Sequence, residues 1–382
     1  MSNVEALRGG RVPAPEPSAG TKLKTIVMLG PDPGAVSGVS THLNQLLQSD
    51  IGRDFRVLLF QVGSEGRQES RLQKLWRFAA SPAQLWSFLR RQRPDIVHIN
   101  SAMEPKAFWR DLAYLLVCRW LGLKVVFQVH GGYLPLEFSG NRPVLTGLLR
   151  RVLSMPQCLV LLAEVERRAY HEFLPDTRLA VVANAIDEAE VASRPRGPKS
   201  PDTPLSLVYV GRLAHVKGMT EAIDAVKVLR DRGIAVRLAI VGSGPAEADL
   251  RAQVARLGLE REVEFRGAVF GEQKTRIWME ADAFVFPTYH REGLPYALLE
   301  SMAAGAIPIT CPVGAIPDVM QDRRHGLFVA PRDPAGLADA IAWLDRHRAE
   351  MAEMARAGRE RVLEQYTVNR LAGDFHRIYS SL

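Results

Sequence analysis

The residues best equipped for chemistry are two cations and two carboxylates in the second half of the chain. Val210-Gly211-Arg212-Leu213-Ala214-His215-Val216-Lys217-Gly218 reads as a strand end, a tight turn at Gly211 and two cations just ahead of a helix. Such a loop can turn Arg212 and Lys217, together with helix N–H groups, toward one polyanion. Two surface cations flanking a turn would look the same. Further on, Phe284 to Pro287 ends another strand, and Pro295 stands where the first residue of the next helix belongs. Glu292 then lies in the loop, and Glu300 lies inside a helix otherwise dominated by Tyr, Ala, Leu and Met. A carboxylate in apolar surroundings needs a partner. Sugar hydroxyls would serve, as would a neighbouring basic side chain. The N–H groups at Gly293, Leu294 and just beyond Pro295 add a site for an anion or hydroxyl.

The first half offers less. Pro31-Asp32-Pro33-Gly34-Ala35-Val36-Ser37-Gly38 joins the first strand to the first helix, and Gly38 before a helix start lets a phosphate approach backbone amides. His130-Gly131-Gly132 ends another strand and faces the expected cleft, whereas His98 could be satisfied within the sheet. Ile240-Val241-Gly242-Ser243-Gly244-Pro245 is a strand running into a glycine turn that permits close approach of a ligand or another strand. Glu247 breaks the full dinucleotide pattern of glycines, which disfavours a hydride-transfer cofactor. No histidine spacing suggests a metal triad, and no Asp-x-Asp is evident.

These loops need a scaffold with many strand ends on one side, and the chain has that rhythm twice. In the first half, Lys24–Leu29, 56–60, 95–99, 124–129, 158–162 and 179–182 read as buried strands, separated by helical patterns at 39–48, 82–92 and 105–121. Ser193 to Pro204 carries four prolines in twelve residues and can continue neither element. The rhythm then restarts, with strands at 205–210, 236–241, 262–265, 283–286, 307–309 and 326–329. Apolar runs alternating with helices indicate parallel sheets covered on both faces. The expected plan is a disordered tail over residues 1–21, an N-terminal doubly wound domain over 22–192 and a linker over 193–204. A second doubly wound domain over 205–365 and a C-terminal helix over 366–382, packing back toward the first domain, complete it.

Composition bounds the rest. The chain has 382 residues, 47% of them apolar and 24% charged, enough for two domains with separate cores. Three widely spaced cysteines rule out a disulfide framework and fit a reducing cytosol. No run of about 18 apolar residues exists, and the N-terminus lacks a secretory pattern. The expectation is therefore a cytoplasmic protein. Through residue 195 Lys and Arg exceed Asp and Glu by six, against an excess of one beyond it. A basic first half, with clusters such as Arg90-Arg91-Gln92-Arg93, is either a solvated surface or a face resting on anionic lipid. Nucleic acid is disfavoured because no aromatic–basic interleaving accompanies the charge.

Taken in order, the motifs resemble the retaining glycosyltransferases of family 4. They are Gly211-Arg212 with Lys217-Gly218, Gly242-Ser243-Gly244-Pro245 and Val263-Glu264-Phe265-Arg266-Gly267. Glu292-Gly293-Leu294-Pro295, Glu300-Ser301-Met302-Ala303-Ala304-Gly305 and His325-Gly326-Leu327-Phe328-Val329 follow. Glu292 and Glu300, with seven residues between them, match the paired-glutamate signature of that family. Pro94 to His98, Val129-His130-Gly131 and Asn184-Ala185-Ile186-Asp187 look like family segments, with Ser37 before Gly38, Ala163, Ala185 and Asp318 as departures.

The resemblance implies the α/β GT-B architecture, two Rossmann-like domains facing each other across a cleft. It implies transfer of a sugar from a nucleotide-sugar donor to a lipid-linked or polysaccharide acceptor in bacterial cell-surface glycan synthesis, with no metal or other cofactor. Arg212 and Lys217 would hold the donor diphosphate, Glu292 would orient the donor sugar and Glu300 would accept hydrogen bonds from the ribose. His130 would lie near the anomeric centre, with Gly38 closing over the phosphates and Gly211, Gly293, Leu294 and Pro295 shaping the donor site. A site peripheral to the inner face of the membrane would suit such an acceptor. The alternatives are a nucleotide-sugar epimerase of similar fold and a non-catalytic sugar-nucleotide-binding scaffold.

Overall fold

The computed structural model describes residues 23–63, 67, 69–187 and 203–382. The expected tail and nearly all of the expected linker lie outside the described residues. The first domain has strands β1 (Lys24–Gly30), β2 (Phe55–Gln61), β3 (Ile96–Met103), β4 (Lys124–Gly132), β5 (Cys158–Leu161) and β6 (Leu179–Val181). Between them run helices α1 (Gly38–Gln48), α2 (Ile51–Asp54), α3 (Arg71–Gln92), α4 (Pro105–Trp120), α5 (Pro135–Ser139), α6 (Pro143–Leu153) and α7 (Glu164–Phe173). The second domain has β7 (Leu205–Val210), β8 (Val236–Val241), β9 (Val263–Gly267), β10 (Ala283–Phe286), β11 (Ile307–Thr310) and β12 (Leu327–Phe328). Its helices are α8 (Met219–Asp231), α9 (Glu247–Leu257), α10 (Gly271–Glu280), α11 (Tyr296–Ala304), α12 (Ile316–Val319), α13 (Pro334–Arg346) and α14 (Arg348–Gln365), and α15 (Val368–Ser380) ends the chain.

Both sheets are six-stranded and parallel, in the orders β2-β1-β3-β4-β5-β6 and β12-β11-β10-β7-β8-β9. The strands are apolar on both faces, so each sheet needs helices above and below. In the first domain, α3, α4, α6 and α7 cover one face, and α1 and α15 cover the other. The order reverses at β1 in one sheet and at β7 in the other. The loops leaving the carboxyl ends of β1, β3, β4, β7 and β10 therefore open on one interdomain crevice.

Two expectations need correction. The helix expected to begin near Pro82 begins at Arg71, and Pro82 sits inside it. A capping box, with Ser70 accepting from the Gln73 amide and Gln73 reaching back to Ser70, starts the helix a good three turns earlier. The sequence also suggests Pro295 as the first helical residue, but its backbone is extended (ψ 125°) and it caps α11 from outside. No described helix is long and apolar enough to cross a membrane.

The last helix belongs to the first domain's core, not the second's. Leu371, Phe375 and Tyr379 are buried among Ile26, Met28, Leu43 and Val126. The chain crosses between domains where Ile186 and Thr367 form an isolated bridge, with the Ile186 amide donating to the Tyr366 carbonyl at 2.8 Å. Phe375→Ala should therefore cost about 3–5 kcal/mol of first-domain stability, read by urea unfolding. A loss under about 1 kcal/mol would show that α15 packs loosely.

Candidate active site

The second-domain wall of the crevice is built by backbone approaches that only glycine allows. A Cβ on Gly242, at φ 139°, would lie 1.8 Å from the Gly211 carbonyl oxygen, and one on Gly218, at φ 77°, would lie 2.1 Å from that of Pro287. The Gly242-Ser243-Gly244 turn thus locks the Gly211 loop in place, and it is a neighbouring loop rather than a ligand that it approaches. The Arg212 carbonyl accepts from the Tyr209 hydroxyl at 2.8 Å, and Arg212 is exposed. Lys217 ends a short 3-10 turn, and its ammonium pairs with the Glu292 carboxylate. Thr288 adds a hydroxyl to the same Glu292 oxygen at 3.0 Å. Both charged side chains are largely shielded, at 18% and 12% exposed. Ala315 donates to the Glu292 carbonyl at 3.1 Å, and a Cβ on Gly314 would strike that carbonyl at 2.0 Å, so the Glu292 turn rests on the loop after β11.

One helical turn into α11, Glu300 accepts from Lys274 at 2.5 Å and from the Trp278 indole at 3.1 Å, both on α10. These three residues, with Thr41 and Gln45 of α1 and Tyr296, line an interdomain cavity of about 290 Å³. Sequence reading missed Lys274 and Trp278. Only their spacing of four, which places both on one face of α10, hinted that they could act together.

Leu294 has a buried side chain, within a core cluster that includes Leu162 and Ile186 of the first domain as well as the second-domain residues. Its carbonyl accepts from the Asn184 amide at 2.6 Å. Gly293 meets Gly131 backbone to backbone: a Cβ on Gly131 would lie 3.4 Å from the Gly293 Cα. Gly38 is the first residue of α1 rather than the one before it, and the Ser37 side chain caps the helix by accepting from the Ser40 amide at 3.2 Å. A Cβ on Gly38 would sit 3.7 Å from the Tyr296 ring, so the start of α1 faces the start of α11.

His130 lies two residues before the end of β4 with its Nε2 2.8 Å from Asn100 Oδ1, and His42 packs edge-on against its ring at 4.8 Å. Burial, followed by the proximity of His42 and His98, holds the His130 pKa well below the ordinary value. Burial also pushes His42 down to about 4 and His98 to about 3. His98 does not reach the crevice, because its Nδ1 lies 2.7 Å from the Tyr379 hydroxyl inside the first-domain core. Asp318 of the second domain accepts from the Val165 amide at 2.8 Å and makes a further interdomain contact.

The structure therefore brings Gly38, His130, Lys217, Glu292, Gly293 and Glu300 together where the two domains meet, with Gly211 and Arg212 on the loop that carries Lys217 and with Leu294 and Pro295 on the turn from Gly293 into α11. Two facing doubly wound domains with this crevice define the GT-B class. Alr3699/HepE from Anabaena, solved in complex with UDP, has the same fold, with a TM-score of 0.73 at 16% identity over 94% of this chain and 100% of that one. Two family models match, "Glycosyl transferases group 1" over residues 204–346 and "Glycosyltransferase Family 4" over residues 36–190. The chain belongs to these group 1, family 4 glycosyltransferases.

Among relatives, a putative colanic acid biosynthesis glycosyltransferase, WcaL of Escherichia coli strain K12, is 31% identical over 205 residues, 51% of this chain and 50% of that protein. The 2-deoxystreptamine glucosyltransferase of Streptomyces kanamyceticus is 28% identical over 319 residues, 79% of this chain and 81% of that protein. The chain matches about half the length of the WcaL relatives.

Asn184→Ala removes the buried bond to the Leu294 carbonyl and leaves that acceptor unpaired. Stability should fall by about 1–3 kcal/mol, as read by chemical denaturation. A change under about 0.5 kcal/mol would mean that the contact contributes little to holding the domains together.

Proposed function

We propose that the protein is a retaining glycosyltransferase that moves a sugar from a nucleotide-sugar donor to a lipid-linked or polysaccharide acceptor in bacterial cell-surface glycan synthesis. One observation carries this reading. Arg212, Lys217 and Glu292 stand on one crevice wall, with Glu300 a short way along it and the start of α1 opposite. That is an arrangement for a diphosphate flanked by two sets of hydroxyls. The nucleotide held by HepE and the glycan role in the name of WcaL support it.

In this reading the diphosphate meets Arg212 and Lys217, and backbone N–H groups at the start of α1 close over it. Glu292 passes from Lys217 to hydroxyls of the donor sugar, and Glu300 accepts from the ribose. The bond from the anomeric carbon to the phosphate oxygen breaks, and the acceptor oxygen bonds to the same face of that carbon. The acceptor's proton passes to the departing phosphate. Two fixed cations and aligned N–H groups stabilise the charge that develops there, so the reading requires no metal. Contact between the domains limits water's access to the donor.

The acceptor side of this reading includes an anionic membrane surface. Helices in a parallel sheet begin at the carboxyl ends of the strands, so α3, α4 and α6 all start at the crevice rim. Leu72, Leu75 and Trp76 of α3, Trp109 of α4 and Val144 of α6 are exposed there, interspersed with Arg71, Lys74, Lys106 and Arg142. Arg90, Arg91 and Arg93 lie at the opposite end of α3, so the rim is the better-placed lipid-facing surface.

Lys217→Ala and Glu292→Ala should each lower transfer on the order of a hundredfold or more while leaving cooperative unfolding intact. Wild-type turnover in either variant would remove that residue from the mechanism. A thermal-shift panel of nucleotides and nucleotide sugars should give one EDTA-insensitive stabilisation. Stabilisation with no transfer to any acceptor would favour a scaffold. Leu72→Ser/Leu75→Ser/Trp76→Ser should weaken binding to vesicles containing phosphatidylglycerol, and unchanged binding would remove the rim from that role.

A further inference from the structure

We infer that Asn100 is a positioning residue that fixes the tautomer of His130, so that the imidazole meets the crevice with a bare Nδ1 able to accept a hydrogen bond from a sugar hydroxyl. The inference rests on the proposed placement of His130 beside the reacting sugar. It adds which nitrogen carries the proton and which residue decides it.

Asn100 is buried on β3, at 3% exposed, and its Nδ2 lies 3.0 Å from the Leu29 carbonyl oxygen. A carbonyl oxygen can only accept, so the amide NH₂ of Asn100 must face it, and the orientation of the amide is settled by that contact. Oδ1 then faces His130, 2.8 Å from Nε2. Oδ1 is an acceptor alone, so Nε2 must carry a proton.

The imidazole is neutral, because burial and the two neighbouring histidines disfavour its cation. A neutral imidazole has a single N–H, and Asn100 takes it. Nδ1 is left with a lone pair and no hydrogen-bond partner among the described residues, and it is not among the polar atoms sealed from solvent. The ring has little freedom to turn, since His42 stands edge-on against it with an interplanar angle of 77°.

This arrangement is selective. Nδ1 can accept from a hydroxyl but has nothing to donate to a phosphate oxygen. The partner of His130 is therefore a hydroxyl of the donor sugar or of the acceptor, and the diphosphate falls to the cations opposite. Asn100 itself touches neither substrate, and acts only through the imidazole.

The first test uses the unaltered protein. Its histidines are labelled with ¹⁵N, and the His130 signal is assigned by its loss in His130→Ala. At neutral pH His130 should show the Nε2–H tautomer, and an Nδ1–H tautomer or an imidazolium would overturn the inference. In the second test, Asn100→Ala should populate both tautomers and lower kcat on the order of ten- to a hundredfold, with a smaller change in the donor KM. Asn100→Ala/His130→Ala should be no worse than His130→Ala alone, whereas additive losses would show that Asn100 acts elsewhere and would overturn the inference. If His130→Ala keeps wild-type turnover, the placement of His130 fails, and the inference about a sugar hydroxyl fails with it. That outcome is distinct from a wrong tautomer in an enzyme that still needs His130. Should Asn100→Ala fail to fold, the ¹⁵N measurement on the unaltered protein decides the question.

Discussion

A parallel strand can be followed by another parallel strand only if a covering helix carries the chain back, and the rest of this molecule depends on that constraint. It forces every strand-to-helix loop of a domain to one end of its sheet. Two such domains, joined at the Ile186–Thr367 bridge, turn those ends toward one another. Residues as distant in sequence as Gly38, His130, Lys217 and Glu292 then share a crevice without any long excursion of the chain. Crossing of α15 onto the first domain, where Phe375 and Tyr379 are buried, ties the C-terminus to the sheet that the N-terminal strand begins.

Electrostatics is the second constraint. Glu292 and Glu300 are both shielded from water, and a shielded carboxylate without a partner is costly. Each has one in this structure, Lys217 for Glu292 and Lys274 with Trp278 for Glu300. These pairs keep the carboxylates placed. They also give a ligand with anionic and hydroxyl groups a defined set of contacts to exchange. The first-domain wall is different in kind. Its His130 is held neutral by burial, as are His42 packed against it and His98 in the core, so this wall contributes dipoles and hydrogen bonds rather than charge.

The strands were legible in the sequence because each is a short apolar run bounded by turn residues, and the β7 and β8 bounds, 205–210 and 236–241, are those of the structure. The start of α3 was not, since a proline ordinarily opens or breaks a helix, and Pro82 instead lies inside one that the Ser70–Gln73 capping box begins. At the site, Arg212, Lys217, Glu292 and Glu300 could be picked out because charged residues beside glycine turns at strand ends are unusual. Lys274 and Trp278 could not, and neither could the partner of Asn184. Their importance comes from what they touch across 26, 22 and 110 residues of chain, and no local pattern carries such a pairing. The turn at Gly242 was legible as a close approach, but whether it met a ligand or a loop depended on the fold.

The central claim is that one crevice holds a nucleotide sugar with its diphosphate between the two walls. A crystal structure of the protein with a nucleoside diphosphate sugar tests it most directly. The account predicts the diphosphate between Arg212, Lys217 and the start of α1 at Gly38, the Lys217–Glu292 pair opened, and the ribose against Glu300. A nucleotide bound away from these side chains, or one bound with the Lys217–Glu292 pair intact and no contact to Arg212, would contradict it.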